Sequence, residues 1–472
     1  MIELEKVGRP AVALVSGRFE EDAVASSRAF GMPDLQWVIV PRIYRNLEPE
    51  LCISQTEDAI DDLVGSLTSS ISERNSGIDT VNTRVYEGED RHDAILKMNE
   101  DFMLEDLGDG LLLHPPTREA VDQMLSGTCL PADHVVCDMP PGFGLATVEK
   151  IAINAVMAGA KPEHLPVVIA AVKGMSKLHK DGGKSLLMST SPEAPLLVVN
   201  GPIGEKIGLN PKSALGPGRD NQVNTIVGRA FALCFRNIGY WYPGLMDMDT
   251  IGTTRKFIQC VSENEKMSPW DPLHVDQGFD ADESTVTIFV TNGELDLQDQ
   301  GNHTAEGLLR TLAYGCVFGT RSLQGGKVGI RGGAERLIFM PPDVAQPVGN
   351  QGFSKQAAKE FIHENAVGSF GHMIEYMPFE QDGGVRESRV SDEWRWLEQL
   401  THQQRQEITM NIMDSAENCH IVVVGADRAK TACFPSSDGP HTEGIDQYLP
   451  CLLYTSDAAD DTPCVDLGGR RI

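Results

Sequence analysis

Short apolar runs that stop abruptly recur along this chain and constrain its fold more than any other feature. Each run is rich in Val, Ile or Leu, ends at a Pro, Gly or polar residue, and precedes an amphipathic stretch. Strands that are apolar throughout and alternate with helices are typical of a parallel sheet covered on both faces. We therefore predict an α/β fold with mostly parallel sheets, helices on both faces and two lobes. The predicted strands are 11–15, 37–40, 111–113, 134–137, 196–199, 284–290, 337–340 and 421–424.

Helix signals follow several of these runs. Residues 148–157 are mostly good helix formers that Gly159 can end, and Ser354 can cap a helix over 355–363. Residues 53–75 are also predicted to be helical. We divide the chain into an N-terminal α/β lobe, a larger α/β lobe with the predicted substrate loops, and a tail. The three parts are 1–115, 116–450 and 451–472, with 291–305 predicted as an exposed connection.

The tail has no sustained helix or strand period and is typical of a translated sequencing adapter. We therefore treat 451–472 as non-native, and give its Cys451 and Cys464 no function.

The net charge of −28 argues against a nucleic-acid partner and against an anionic membrane. The longest wholly apolar run, 167–172, is too short to cross a bilayer. Ten cysteines are scattered singly without a CxxC pair, which fits reduced thiols better than disulfides or a zinc site. We predict a cytoplasmic protein with a small-molecule substrate, and leave a homo-oligomer open.

The loop at 140–144 is the first candidate ligand loop. Its Gly142 and Gly144 would let the backbone approach a ligand, and free N–H groups at the following helix start would attract an anion. Asp138 precedes the loop, Glu149 lies in the first helical turn, and Asn154 lies further along. The alternative is a turn that needs glycine, with Glu149 merely complementing the helix dipole.

A second candidate loop opens a predicted helix that runs to residue 237. A stripe of polar and small residues on that helix can face a ligand, or it can let a neighbouring helix approach closely. Arg219 and Arg229 could supply the positive charge that an acidic substrate needs. The predicted binding residues here and after strand 196–199 are Asn200, Gly201, Gly216, Gly218, Arg219, Asn221, Asn224 and Arg229.

Acid–base chemistry has four candidate residues: His114, Asp138, Glu149 and His274. His114 directly follows a predicted strand, and His274 lies near Glu263 and Glu265. Structural roles for both histidines remain the alternative. The sequence has no HExxH, no GxSxG and no His/Cys cluster with metal spacing, so we predict no metal and no cofactor.

Several long strings resemble the family of proteins named for a selenocysteine-Gly-Ser-Cys motif, in which Cys often replaces selenocysteine. They lie at 8–48, 146–159, 161–168, 199–203, 262–265 and 268–275, within a resemblance that covers most of 1–440. The family motif lies upstream of the strand that is here 11–15. No Cys-Gly-Ser-Cys occurs in this sequence, so we expect the chain to lack the segment that carries it.

The resemblance implies thiol or selenol redox chemistry, in which a neighbouring cysteine resolves an oxidised chalcogen. Our first hypothesis is a small-molecule oxidoreductase whose full-length form uses this chemistry, with this chain supplying the substrate pocket. Two alternatives stay open: a lyase or hydrolase that uses Asp, Glu and His, and a ligand-binding subunit without catalysis.

Overall fold

The structure is a computed structural model that describes most of the chain after residue 82 and parts of the chain before it. The predicted tail 451–472 lies outside the described residues. The described ranges are 8–17, 34–40, 49–68, 83–178, 187–212, 216–244, 246–317, 335–369, 399–436 and 439–450, with a few isolated positions.

Fourteen strands and thirteen helices are assigned within the described residues. The strands are β1 Ala13–Ser16, β2 Trp37–Val40, β3 Val135–Met139, β4 Gly144–Thr147, β5 Ala194–Asn200, β6 Gln259–Ser262, β7 Thr285–Thr291, β8 Leu295–Gln298, β9 Glu335–Met340, β10 Val367–Ser369, β11 Thr409–Asn411, β12 Cys419–Val423, β13 Lys430–Ser436 and β14 His441–Gly444. The helices are α1 Pro49–Asp58, α2 Ile60–Thr68, α3 Arg91–Leu104, α4 Arg118–Leu125, α5 Val148–Ala158, α6 Leu165–Lys177, α7 Pro202–Ile207, α8 Gln222–Asn237, α9 Leu273–Asp276, α10 Ala305–Val317, α11 Pro342–Asn350, α12 Lys355–Asn365 and α13 His402–Glu407.

The central sheet is mixed, in the order β12–β9–β13–β7–β5–β6. Strands β5 and β6 are parallel, as are β9 and β12, but β7 and β13 run antiparallel to their neighbours. The predicted α/β class is confirmed, whereas the prediction of mostly parallel sheets is wrong. Strand β7 explains the error: all seven of its residues are buried, and an antiparallel strand covered on both faces has the same apolar pattern as a parallel one.

The two end strands of this sheet meet at their carboxyl ends, because the sheet curls. The Asn264 N–H, just past β6, donates to the Val423 carbonyl of β12 at 2.7 Å. Side chains from six strands fill the interior as one apolar cluster, as in a small barrel. Its strand members are Leu196, Val198, Val261, Phe289, Leu337, Phe339, Val422 and Phe434.

Helices cover the outside of the curled sheet in two further apolar clusters. The larger cluster is built mainly on α5, α6 and α8, and the other on α10, α11 and α12. The predicted helix at 148–157 is confirmed as α5, which ends at Gly159 with a φ of 85°. Ser354 caps α12 through the Ala357 N–H, also as predicted. None of the described helices is both long and apolar enough to cross a membrane.

Two local predictions are wrong. Residues 111–113 form no strand, because their carbonyls accept hydrogen bonds from side chains of other elements. Arg229 donates to the carbonyls of Leu111 and Leu112, and Asn99 donates to that of Leu113. Residues 291–305 are not simply an exposed connection, because they contain β8, which pairs with β13. The predicted helix over 53–75 is two helices, α1 and α2, up to residue 68; residues 69–75 lie outside the described part.

The predicted boundary near residue 115 stays a prediction. Met98 and Leu113 pack in the same cluster as Val121 and Ile151, so apolar contacts cross that position.

Gly201, between β5 and α7, has a backbone that only glycine adopts easily. Its φ is 81° and its ψ −174°, and an added Cβ would lie 2.1 Å from the Glu283 carbonyl oxygen. We expect Gly201→Ala to lower the free energy of unfolding by about 2 kcal/mol in urea denaturation. Gly208→Ala is the matched control, because Gly208 has the same φ but open space around it, and about 1 kcal/mol is expected. Equal losses would contradict the steric part of the argument.

Candidate functional site

A cavity of about 840 Å³ lies among α3, α4, α5 and the end of α8. This volume is typical of small-molecule sites. Its wall is mostly apolar, with apolar side chains from α3, α4 and α5. The apolar residues at its centre are Ile95, Met98, Phe102, Val121, Ile153 and Met157.

Four cationic side chains also line this cavity, and two of them are already paired. Arg84 forms ion pairs with Glu105 at 2.7 Å and Asp101 at 3.0 Å, and its hydrogen bond to Glu105 raises its pKa. Arg118 pairs with Glu149 at 2.7 Å.

Arg91 and Lys150 also line the cavity, and neither forms an ion pair with any described residue. These two cations are therefore the groups that can receive an anion without breaking an existing contact. Because the chain as a whole is strongly acidic, local cations of this kind are what an anionic ligand requires.

The start of α5 cannot receive an anion through its backbone, contrary to our prediction. The Val148 and Glu149 N–H groups donate to the carbonyls of His134 and Ala132, and the Lys150 N–H donates to Thr147 Oγ1 at 3.3 Å. Since these three donors are occupied, the backbone at the start of α5 is not available to an anion in the cavity. The Glu149 side chain is 22% exposed and complements Arg118.

The predicted loop with Gly142 and Gly144 is the turn of the β3–β4 hairpin, where Pro140 and Pro141 share a cis peptide bond. Both glycines pack against the residues that follow α8. An added Cβ would lie 2.7 Å from the Gly239 oxygen at Gly142, and 2.0 Å from the Ile238 oxygen at Gly144. Glycine is thus required there for close packing of the hairpin, although Gly144 also lines the cavity.

Asn154, on the cavity wall, joins two helices. Its Oδ1 accepts from Asn237 Nδ2 at 2.6 Å, and its own Nδ2 donates to the Lys150 carbonyl at 2.9 Å. The side chain therefore positions α5 against α8.

His114 and Asp138 lie away from the described lining of the cavity. The His114 N–H donates to the Met157 carbonyl and its ring packs against Gly159, so it lies at the opposite end of α5 from Glu149. Asp138 is exposed on β3. The four predicted acid–base residues therefore do not converge, because Asp138 lies on the separate β3–β4 hairpin and His114 follows no strand.

A second group of predicted residues meets at the carboxyl ends of β5 and β6. Asn200 Nδ2 donates to Glu263 Oε2 at 2.6 Å and to Glu265 Oε1 at 3.1 Å. Glu263 also accepts from the N–H groups of Leu273 at 2.8 Å and Val423 at 3.4 Å. Burial raises the pKa of the Glu263 carboxyl group.

His274 is fully buried beside this group, and neither of its ring nitrogens has a hydrogen-bond partner among the described residues. Gly201 donates its N–H to Glu265 Oε1 at 2.7 Å. Because Asn200 and His274 have no exposed surface, the cluster joins the two halves of the curled sheet rather than lining an open site.

The polar stripe of α8 is used within the protein. Asn224 binds the backbone of Asn210 through both ends of its amide, and Asn221 accepts from Asn210 Nδ2 at 2.5 Å. Arg229 forms a two-pronged ion pair with Asp109, at 2.7 and 3.0 Å. At the preceding turn, Gly216 and Gly218 are exposed and Arg219 pairs with Asp220. None of these residues is in the described lining of the cavity.

The wall residues from 83–107 were not predicted. The signal that could have found them is the spacing of Ile95, Met98 and Phe102 at i, i+3 and i+7, which marks one face of α3.

Comparisons with known proteins give one match. The model of the UGSC family matches residues 1–69, which contain β1, β2, α1 and α2. Neither the curated proteins nor the solved structures include a match. All described residues that line the cavity come after residue 82 and therefore lie outside the matched part.

Proposed function

We propose that this chain, whose residues 1–69 match the model of the UGSC family, is the substrate-binding part of a small-molecule oxidoreductase. Its substrate would be an organic anion with an apolar body. The observation that supports the proposal is the cavity. Its apolar wall carries two cations that form no ion pair with any described residue, and this combination suits a carboxylate on a hydrocarbon or aromatic frame. The redox part of the proposal rests on the resemblance to the UGSC family, which implies thiol or selenol chemistry.

The cysteines of this chain fit poorly with a catalytic thiolate at the cavity. None of the described cysteines is in its described lining. Burial raises the pKa of Cys137 to about 11 and those of Cys260 and Cys419 to about 12, so these thiols stay protonated at neutral pH. In our proposal the reactive sulfur or selenium is that of the family motif, which is not in this sequence.

We also propose a cytoplasmic location, because no disulfide links the eight described cysteines to one another, as expected in a reducing compartment.

Ligand-induced stabilisation tests the anion site. We expect octanoate and 3-phenylpropionate to raise the Tm of the purified full chain, and their neutral amides to raise it much less. A ligand at a hundred times its Kd stabilises a protein by about 2.7 kcal/mol. Lys150→Gln should weaken binding about tenfold, measured by calorimetry, because one charge-assisted contact is lost.

Lys206→Gln is the matched control, because Lys206 is an exposed lysine on α7 without an ion pair among the described residues. It should bind as the unchanged protein does. Equal stabilisation by acids and amides, or equal loss in both variants, would contradict an anion site at Lys150.

A non-redox reaction is the second candidate, because Glu149 lies on the cavity wall. Conversion of a bound acid without any added thiol or oxidant, lost in Glu149→Gln, would favour a lyase or hydrolase. Binding without conversion in all variants would favour the ligand-binding subunit.

A further inference from the structure

Two buried cysteines from distant parts of the chain are in contact. Sγ of Cys316, at the end of α10, lies 3.7 Å from Sγ of Cys433 on β13, across 117 residues of sequence. Both belong to the cluster built on α10, α11 and α12, and neither is more than 1% exposed. A disulfide bond places its two sulfur atoms about 2 Å apart. Rotations of the two cysteine side chains would bring the sulfur atoms from their present distance to that one.

A cation without an ion pair among the described residues lies beside this pair. Arg336 on β9 is fully buried; its Nε donates to the Cys316 carbonyl at 3.2 Å, and its Nη1 to the Glu335 carbonyl at 2.7 Å. Nη2 has no partner among the described residues, and no described carboxylate forms an ion pair with this guanidinium. A buried charge without a counter-ion is costly, so this position favours a nearby anion.

The strand register places the cation on the same face as the thiols. Arg336 pairs with Cys419 of β12, and Ile338, two residues further along β9, pairs with Cys433 of β13. Because side chains two residues apart share a face of a sheet, Arg336, Cys419 and Cys433 lie on one face.

The anion that this site favours is a thiolate on Cys433. A hydrogen bond from the Cys316 thiol lowers the pKa of Cys433, and the positive charge of Arg336 lowers it further, against the effect of burial. The pKa of Cys316 is raised, so Cys316 keeps the proton that the pair shares.

We propose that Cys316 and Cys433 form an oxidation site that peroxide converts to a disulfide. The Cys433 thiolate attacks one peroxide oxygen, the O–O bond breaks, and the departing hydroxide takes up a proton to form water. Cys316 sulfur then attacks the sulfenic sulfur of Cys433; the S–O bond breaks, and the Cys316 proton leaves with the hydroxyl group as a second water. Two thiols and one peroxide thus give one disulfide and two waters. This site is independent of the cavity and of the proposed substrate.

Peptide mapping of the full folded chain tests this proposal. After treatment with hydrogen peroxide and alkylation of the remaining thiols, we expect a cross-linked peptide that contains Cys316 and Cys433, a mass loss of about 2 Da from the two protons, and reversal by dithiothreitol. Arg336→Met should slow the cross-link about tenfold, the effect of one pKa unit on the thiolate fraction.

Cys316→Ser should abolish the cross-link and leave a sulfenic acid on Cys433 that dimedone traps. Cys260→Ser is the matched control, a buried cysteine that should leave the cross-link intact. If the unchanged protein gives no 316–433 peptide under conditions that oxidise the exposed Cys129, or if Cys419 is linked instead, the proposal is wrong. The 316–433 peptide of the unchanged protein decides the test even if a variant fails to fold.

Discussion

Lys256→Met is expected to lower the free energy of unfolding by about 4 kcal/mol at pH 7, because it leaves two buried carboxylates without their cation. Lys256 Nζ contacts Asp247 and lies 2.7 Å from Asp249 Oδ2, and all three side chains are at most 7% exposed. The ammonium group also lies 4.8 Å from the centre of the Trp241 ring. Methionine keeps the length and apolar character of the stem, so the change isolates the charge.

The pH dependence of this loss gives a second measurement. Burial raises the pKa of Asp249 above its ordinary 3.8, and Lys256 opposes that effect. A carboxyl group with a raised pKa in the folded state contributes stability below its ordinary pKa and loses that contribution as the pH rises through the raised value. Without Lys256 the pKa of Asp249 should rise further, so the difference between variant and unchanged protein should shrink as the pH falls from 7 towards 4.

Urea denaturation at several pH values measures both effects. Lys206→Met is the control, and because Lys206 is exposed it should stay within about 0.5 kcal/mol of the unchanged protein. A loss in Lys256→Met that grows at acidic pH would contradict the assignment of two uncompensated carboxylates.

The second large effect is expected at Glu263, where Glu263→Ala should cost about 3 kcal/mol of unfolding free energy. The change removes the acceptor of the Leu273 and Val423 N–H groups, and each unsatisfied buried donor costs about 1–3 kcal/mol. Asn200 keeps a partner in Glu265, which limits the loss. Denaturation in urea at pH 7 gives the value.

Glu263→Gln separates the hydrogen bonds from the charge. Its carbonyl oxygen can still accept from Asn200 and Leu273, so we expect a loss of about 1 kcal/mol. Because burial raises the pKa of Glu263, the part of its contribution that depends on protonation is present below the ordinary value of 4.5 and is lost as the pH rises through the raised value. The hydrogen bonds to the Leu273 and Val423 N–H groups are a separate contribution, which remains at pH 7. The glutamine variant should lack this dependence. Glu205→Ala, at an exposed position, should be nearly neutral, and a comparable loss there would refute the argument.

The apolar runs predicted the positions of most strands in the sequence, but not whether neighbouring strands run parallel or antiparallel. Strands β5 and β9 lie where continuous Val, Ile and Leu runs placed them, since burial on both faces selects such residues. Direction depends on which strands pair. Strand β7 pairs with β5 across 85 to 97 residues of sequence, in the register Ala194–Thr291 to Asn200–Thr285. That information is not in the local pattern.

The candidate site shows a different limit. Asn224 and Arg229 have the spacing of a ligand-binding stripe, yet their polar atoms bond to Asn210 and Asp109. Polar groups at helical spacing serve a ligand or a neighbouring segment equally well, and only the tertiary contacts distinguish the two. The cavity was predicted in part, through Gly144, Glu149 and Asn154, because its other wall is α3, which no motif marks.

The meeting of β6 and β12 bears on how the protein behaves at high concentration. An open sheet exposes unpaired backbone groups on its outermost strands, and these can template the addition of a strand from another molecule. Here the Asn264 N–H and the Val423 carbonyl satisfy each other, and Glu263 accepts the Val423 N–H. The carboxyl ends of both outermost strands therefore offer no template for intermolecular strand addition, so the curled sheet protects itself against aggregation there.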